Sequence, residues 1–185
     1  MLEAPTHDPG GKVRIKLAEG IIGEAIISPC EKYRPSMSRD WTPQGASPKA
    51  VLWLGMNPST ANAFVSDPTC NRELIFSKDW GYTRYLKGNM LDYRATDPKS
   101  LPHDLTIARS EQNLPEILRM ADEAEFVVMG YGKMHKRYHI IIRETIAAIQ
   151  ATRKPLMCLG LNKDGSAKHP LYLRKDTPLE VFSPT

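Results

Sequence analysis

The chain has 185 residues, of which 41% are hydrophobic and 25% are charged, with a formal net charge of +4. This length suits one domain with a sizeable core, and the composition is ordinary for a soluble globular protein. No apolar run approaches the roughly 20 residues that span a bilayer, and the first residues lack the basic and apolar regions of a signal peptide, so we expect a cytoplasmic protein without a membrane partner.

The three cysteines, Cys30, Cys70 and Cys158, lie far apart in the sequence and form no C-x-x-C pair. This spacing signals neither a zinc ribbon nor an iron–sulfur site, and free thiols in a reducing compartment are expected. The mildly basic balance permits contact with a phosphate backbone without demanding it.

The distribution of proline and glycine residues divides the chain into four parts. Residues 1–11 are predicted to form a flexible tail. Residues 12–49 are predicted to form a β-rich N-terminal extension and linker, residues 50–176 an α/β domain, and residues 177–185 a C-terminal tail.

Within the N-terminal extension, β-rich runs at residues 13–17 and 21–27 flank a tight turn at Gly20. This pattern predicts an antiparallel hairpin. Residues 33–41 are predicted to add an edge strand, because Pro35 suits an edge better than a central strand.

From residue 50 onward, short apolar runs alternate with helical periods. The pattern predicts strands at residues 50–55, 85–91, 125–130 and 155–160, and helices at residues 67–79, 110–121 and 136–152. Such alternation is typical of parallel sheets with right-handed crossovers. The predicted fold is therefore a three-layer α/β/α domain with a central four-stranded parallel sheet, to which the N-terminal hairpin is added.

The carboxyl ends of these strands should meet at one edge of the sheet, where ligands bind in open α/β folds. We call the loop after each predicted strand its exit. The first exit contains Gly55-Met56-Asn57-Pro58-Ser59-Thr60, in which Asn57 offers an amide that orients a water or binds a carbonyl. The second carries Asn89, whose amide presents a donor beside an acceptor, as the edge of a nucleobase requires. The alternatives are a simple turn at Asn57 and backbone hydrogen bonding by Asn89 at the strand end.

The third and fourth exits are basic. Gly130-Tyr131-Gly132 precedes Lys133, Lys136 and Arg137, which suit a phosphate at a helix N-terminus or form a solvated face. His169 near the fourth exit is a general acid/base or electrostatic candidate, unless it is merely structural or exposed.

Two other chemistries are weakly signalled. His135 and His139 have a metal-ligand spacing, but the sequence offers no evident third ligand. A hydrolase pairing Ser59 with His169 lacks the G-x-S-x-G elbow.

Several segments in a fixed order carry a family resemblance. They are residues 53–61, 67–69, 89, 94–98, 158–160 and 168–173. Over roughly residues 30–176 they resemble the bacterial and phage family known as domain of unknown function 1643, whose name supplies no activity.

The same segments are more distantly similar to motifs of the uracil-DNA glycosylase superfamily. Gly55-Met56-Asn57-Pro58 resembles the Gly-x-Asn-Pro-Gly loop of its mismatch-specific and single-strand-selective branches, in which the Asn positions the attacking water. Asn89 falls near the strand-end Asn that recognises the pyrimidine edge, and residues 93–98 resemble the loop after it. His169-Pro170 resembles the His-Pro-Ser loop that stabilises the departing base, although Leu171 replaces the serine.

This resemblance implies a glycosylase-like protein that hydrolyses the N-glycosidic bond of a damaged or modified pyrimidine in DNA without a metal or other cofactor. Asn57 and His169 would be catalytic. The other site residues would be Gly55, Met56, Pro58, Ser59, Phe64, Asn89 and Arg94 at the substrate, and Lys133, Lys136, Arg137 and Lys168 at the DNA backbone. The alternative left open is a non-catalytic nucleic-acid or nucleotide-binding protein of the same fold, acting in phage DNA modification.

Overall fold

A computed structural model describes residues 7–183, so residues 1–6 of the predicted N-terminal tail and the last two residues of the predicted C-terminal tail lie outside the described residues. The strands of this part are β1 (Ile15–Lys16), β2 (Ile22–Ile26), β3 (Ser36–Asp40), β4 (Ala50–Gly55), β5 (Val65–Ser66), β6 (Arg84–Asn89), β7 (Val127–Met129), β8 (Leu156–Cys158) and β9 (Glu180–Val181). The helices are α1 (Pro68–Asp79), α2 (Leu105–Ala108), α3 (Asn113–Glu123) and α4 (His139–Ala151), with 3₁₀ turns at Pro98–Ser100, Lys136–Tyr138 and Pro170–Tyr172. None of these helices is long and apolar enough to cross a membrane.

The protein is a mixed α/β fold built on a seven-stranded sheet of order β2-β3-β6-β4-β7-β8-β9. The pairs β6–β4, β4–β7 and β7–β8 are parallel, whereas β2–β3, β3–β6 and β8–β9 are antiparallel. The predicted four-stranded parallel sheet is therefore corrected to a larger, mixed one. Strand β3 lies inside this sheet although Pro35 predicts an edge strand, because Pro35 precedes the first paired residue and the largely polar residues Ser36 to Arg39 are buried.

An N-terminal hairpin is present, but its partners differ from the prediction. Strand β2 pairs with β3, with Ile22 opposite Asp40, whereas β1 pairs with β5 beside the predicted site. The segment predicted as the edge strand thus lies inside the sheet, and β2 forms the edge. Gly20, at a backbone φ of +80°, turns the chain without pairing the strands on either side of it.

Strand β4 is buried throughout because helices cover both faces of the sheet. Leu52 and Leu54 pack in the cluster that contains α3 and α4, while Val51 and Trp53 pack with the apolar side chains of α1. The Trp53 indole N–H donates to the Ser77 hydroxyl at 3.0 Å, which satisfies the polar atom of a fully buried ring.

Helix α1 begins and ends as its sequence predicts. The Asp67 carboxylate accepts the Cys70 N–H at 2.8 Å, and Pro68 occupies the first turn. Gly81 follows the helix with a φ of +82°, a conformation that favours glycine. The cap places Asp67 and the first turn of α1 beside the carboxyl ends of the strands.

Both ends of the described chain pack onto the domain. The His7 ring nitrogen Nε2 lies 2.7 Å from the Arg94 carbonyl, and the Pro9 carbonyl accepts the Thr96 N–H at 2.7 Å. At the other end Phe182 is buried and meets the Tyr131 ring edge-on, next to β9. Segments that the sequence predicts as tails therefore contribute contacts to the folded unit.

Candidate functional site

A cavity of about 390 Å³ lies at the carboxyl ends of β4 and β6, under the 3₁₀ turn at Pro170–Tyr172. Six of the sequence-predicted site residues line it: Gly55, Met56, Asn57, Ser59, Asn89 and His169. They come from three separate parts of the chain and meet because the parallel strands end at one edge of the sheet.

The loops after β4 and β6 are joined by backbone hydrogen bonds. The Met90 N–H donates to the Gly55 carbonyl, and the Ala95 N–H donates to the Pro58 carbonyl, both at 2.9 Å. These bonds fix the two loops to each other, so side chains from either loop hold defined positions in the cavity.

Asn57 is half-buried, and its amide nitrogen donates hydrogen bonds to backbone carbonyls of the two loops. Nδ2 donates to the Ala95 carbonyl at 2.6 Å and to the Pro58 carbonyl at 3.1 Å. With both amide hydrogens used, Oδ1 is the remaining polar atom and is an acceptor. Asn57 therefore shapes the turn and also presents one fixed acceptor at the cavity.

Asn89 is 1% exposed, and neither Nδ2 nor Oδ1 has a hydrogen-bond partner in residues 7–183. The alternative role predicted for it, satisfying backbone groups at the strand end, is filled instead by Asn113, whose amide donates to the Asn89 carbonyl at 3.0 Å. An unpaired buried polar group costs about 1–3 kcal/mol. Asn89 thus lines the cavity while its buried amide keeps a donor and an acceptor without a partner in the described chain.

His169 lies at the start of the 3₁₀ turn, and its Nδ1 accepts the Leu171 N–H at 3.3 Å. Burial, reinforced by the positive charge of Lys87, lowers the pKa of His169 to about 4. The imidazole is therefore neutral at pH 7, and because Nδ1 is an acceptor, Nε2 carries the hydrogen. The ring offers the cavity a neutral N–H donor.

The glycines after β7 make room for this turn. A Cβ at Gly130 would lie 3.3 Å from Pro170 Cδ, and one at Gly132 would lie 3.3 Å from His169 Cβ. Gly132 also has a φ of +66°, which disfavours other residues. Their observed role is to seat the His169 turn, whereas the sequence had suggested a phosphate loop.

A buried charged network that the sequence analysis missed lies in and beneath the cavity. Lys87, which lines the cavity, pairs with Glu73 at 2.7 Å, and the Tyr85 hydroxyl donates to the same carboxylate at 2.6 Å. Burial raises the pKa of Glu73, against the opposing effect of Lys87. The available signal was the alternation of Tyr85, Lys87 and Asn89, which places the three side chains on one face of β6.

The first turn of α1 contributes Asp67, Thr69 and Cys70 to the lining. Burial raises the pKa of the Cys70 thiol to about 12, so the thiol stays protonated at neutral pH and is not a thiolate nucleophile. Asp67 is the one carboxylate among the lining residues, and its Oδ1 caps the helix.

Tyr172, which the sequence analysis also missed, stands 86% exposed at the rim of the cavity. The Arg72 guanidinium donates to the Leu173 carbonyl and so ties the turn to α1. The contact fixes the backbone next to Tyr172, and an exposed aromatic ring at the rim can stack on a base.

The remaining predicted substrate residues do not line the cavity. Pro58 is buried within its loop, and Phe64 is 80% exposed away from the cavity. Arg94 is buried and donates to the Glu31 carbonyl at 2.9 Å, so it supports the loop after β6 from behind. The substrate-binding role predicted for Phe64 is therefore not supported by its position.

The predicted backbone-binding cations also lie outside the lining of the cavity. Lys133, Lys136 and Lys168 are exposed, and Arg137 is half-buried against His135 Nδ1 at 3.0 Å. Lys133 is 3.9 Å from the Asp164 carboxylate, a weak surface pair. Within the described ranges no group of three or more His, Cys, Asp or Glu side chains is placed to hold a metal ion.

A family model described as "Protein of unknown function (DUF1643)" matches residues 34–171. The match runs from the residue before Pro35 to Leu171 and so includes the residues that line the cavity except Tyr172. The comparisons with curated proteins and with solved structures give no significant match.

Proposed function

The chain belongs to the DUF1643 family, and within it we propose that this protein is a glycosylase-like hydrolase that cleaves the N-glycosidic bond of a damaged or modified pyrimidine in DNA. The proposal extends to the finer fold description, a uracil-DNA-glycosylase-like arrangement in which the parallel strands carry the site. It rests on three side chains that converge on one cavity: Asn57, Asn89 and His169.

The observation that carries the proposal is the unpaired amide of Asn89. Its Nδ2 and Oδ1 are buried and lack partners in the described chain, and Asn89 is one of the residues that line the cavity. The edge of a pyrimidine supplies an acceptor and a donor side by side, and this pairing satisfies both atoms at once. A base reaches such a cavity by extrusion from its strand, as in other enzymes that act on bases.

His169 supports a role at the departing base. When the glycosidic bond breaks, the electron pair stays on the base, which leaves as an anion. A neutral imidazole with its hydrogen on Nε2 donates a hydrogen bond to that anion, and fixed donors of this kind act where charge develops.

Asn57 supports the positioning of water. Its nitrogen is anchored to two carbonyls, so Oδ1 is held at a fixed position as an acceptor for a water. An amide does not take up the proton that the water must lose, and a slow enzyme or a modified-base specialist is expected.

DNA as the partner is supported by basic side chains on the segments that follow two of the parallel strands. Lys133, Lys136, Arg137 and Lys168 lie on the loops that follow the strand ends, and all four remain accessible. Cations in such positions contact phosphates, which orient the strand without selecting its sequence.

The second candidate is a non-catalytic nucleic-acid or nucleotide binder of the same fold. The observation in its favour is Asn57 itself, because a carboxylate at this position would supply the base that an amide lacks. This candidate keeps Asn89 as the base-recognising residue and removes only the hydrolysis.

The test is incubation with oligonucleotides that carry uracil, hydroxymethyluracil and other modified bases, with released base and abasic sites measured. We expect release by the wild type and a loss of at least about tenfold in rate for Asn57→Ala and His169→Ala. Oligonucleotide binding by each variant is the control. Binding without release from any substrate would favour the second candidate.

A further inference from the structure

The buried Lys87–Glu73 pair has no role in the proposed hydrolysis. The Lys87 side chain is 3% exposed and the Glu73 side chain 0%, with 2.7 Å between Nζ and Oε1. Taking two charges out of water costs several kcal/mol, and apolar residues of similar volume often stabilise a core as well or better. A functional need for a cation at this point of the cavity therefore explains the pair better than a contribution to stability does.

The Lys87 ammonium lies next to the amide that recognises the base. Lys87 and Asn89 are two residues apart on β6 and project from the same face, and both line the cavity. A Cβ added to Gly55 on the neighbouring strand would lie 2.6 Å from Lys87 Nζ and 2.8 Å from Asn89 Oδ1. Both atoms therefore converge over the backbone of Gly55, where a side chain would displace them.

An isolated asparagine amide does not discriminate between pyrimidine types. In one orientation it pairs with the N3–H and carbonyl of a uracil-type base, and after a 180° rotation it pairs with the N3 and amino group of a cytosine-type base. Nothing in residues 7–183 hydrogen-bonds Nδ2 or Oδ1 of Asn89, so hydrogen bonds within the protein do not select either orientation.

The ammonium removes this degeneracy. Its positive charge attracts Oδ1 and repels the partly positive Nδ2, which favours the orientation with Oδ1 on the Lys87 side. The Lys87 ammonium is a donor without acceptor capacity, and Glu73 is its one hydrogen-bond partner in the described chain. The cavity then presents a donor, an acceptor and a donor, from Asn89 Nδ2, Asn89 Oδ1 and Lys87 Nζ.

We propose that Lys87 is a specificity-determining residue, which fixes the Asn89 amide and makes the cavity select a pyrimidine with an imide edge. Such an edge has an N3–H between two carbonyls, so its order of acceptor, donor and acceptor complements the protein. A cytosine-type edge, with an amino group in place of one carbonyl, matches only when Asn89 Nδ2 is rotated toward the ammonium. This inference rests on the proposed function, because it assumes that a base enters the cavity.

The test uses two single-stranded oligonucleotides that differ in one residue, 2′-fluoro-2′-deoxyuridine or 2′-fluoro-2′-deoxycytidine, because the fluorine slows cleavage. Dissociation constants are measured by fluorescence anisotropy at fixed salt. We expect the wild type to bind the uridine probe at least about tenfold more tightly, since a mismatched hydrogen-bonding edge leaves buried groups unpaired. In Lys87→Met this ratio should fall to within about threefold.

If Lys87→Met is unstable because it leaves Glu73 charged and unpaired, the double variant Lys87→Met/Glu73→Gln removes both charges. This double variant should show the same loss of discrimination. Lys49→Met removes an exposed lysine before β4 and should keep the wild-type ratio. A wild-type ratio near 1, or a folded Lys87 variant that keeps the wild-type ratio, would overturn the inference. Base release from the oligonucleotide panel is measured independently of this ratio. Release without discrimination between the two probes would contradict the role of Lys87 but not the proposed function.

Discussion

The neutral state of His169 has a measurable consequence for stability, because burial and Lys87 lower its pKa to about 4 in the folded protein. An unfolded histidine has a pKa of about 6.5, so the unfolded chain binds more protons between these two values. The contribution of His169 to stability is therefore present above about pH 6.5 and is lost as the pH falls toward 4. His169→Gln removes this titration.

The size of the effect follows from the two pKa values. Between pH 7 and pH 5 they give a loss of at most about 1.8 kcal/mol from this one group. The ring is partly exposed, and screening by solvent reduces the expected loss to about 1 kcal/mol. Other titrating groups shift the absolute stabilities, but they act on the wild type and on His169→Gln alike.

Urea unfolding of both proteins at the two pH values measures the difference. We expect the wild type to lose about 1 kcal/mol more than His169→Gln on going to the lower pH. The NMR titration of the His169 ring protons should show a midpoint well below 6.5 in the folded state. Equal losses for the two proteins, or an ordinary midpoint, would refute the lowered pKa of the His169 imidazole.

Three further substitutions test the cavity and its surroundings. Gly55→Ala would place a Cβ 2.8 Å from Asn89 Oδ1, so we expect about tenfold weaker binding of a base-carrying oligonucleotide in anisotropy and a loss of about 1–3 kcal/mol in unfolding; unchanged binding would mean that the amide does not contact the base. Tyr172→Ala should leave stability within about 0.5 kcal/mol but weaken single-strand binding by about 1–3 kcal/mol, and equal affinity would remove the ring from the binding surface. Phe182→Ala should cost about 3 kcal/mol in thermal unfolding while exposed Val181→Ala costs little, and equal effects would place the C-terminal segment outside the core.

The parallel part of the sheet follows from the sequence because its strands are apolar and its helices have clear starts. Strand β4 and helix α1 lie where the apolar run and the Asp67-Pro68 cap predict them. Strand β3 is different, since its buried polar residues are stabilised by long-range contacts such as Arg39 Nη2 to the Asn62 carbonyl. The sequence predicts a strand here, but no local pattern of apolar residues marks it as an inner one.

The pairing of the N-terminal strands was also not predictable from local sequence. Two β-rich runs around Gly20 predict pairing with each other, yet β1 pairs with β5 and β2 pairs with β3. The choice depends on which strand edges are free after the core forms, and tertiary context decides this more than local propensity.

The site residues that follow strand ends could be predicted from the sequence. Those that lie within a strand or a helix could not. Asn57, Asn89 and His169 were found because each stands at or near a strand exit. Lys87 and Glu73 sit inside β6 and α1, where charged residues usually face solvent, and only the packing of α1 on β6 brings them together.

The central claim is that the Asn89 side chain contacts a base inside the cavity, and NMR of its amide group tests this most directly. The ¹⁵N-labelled protein is titrated with a single-stranded oligonucleotide that contains 2′-fluoro-2′-deoxyuridine, and separately with the same strand carrying an abasic-site analogue. We predict that the Asn89 Nδ2 signals move with the first strand and stay in place with the second. Signals of Asn89 that stay in place with both strands, while those of the surrounding basic loops move, would contradict the account.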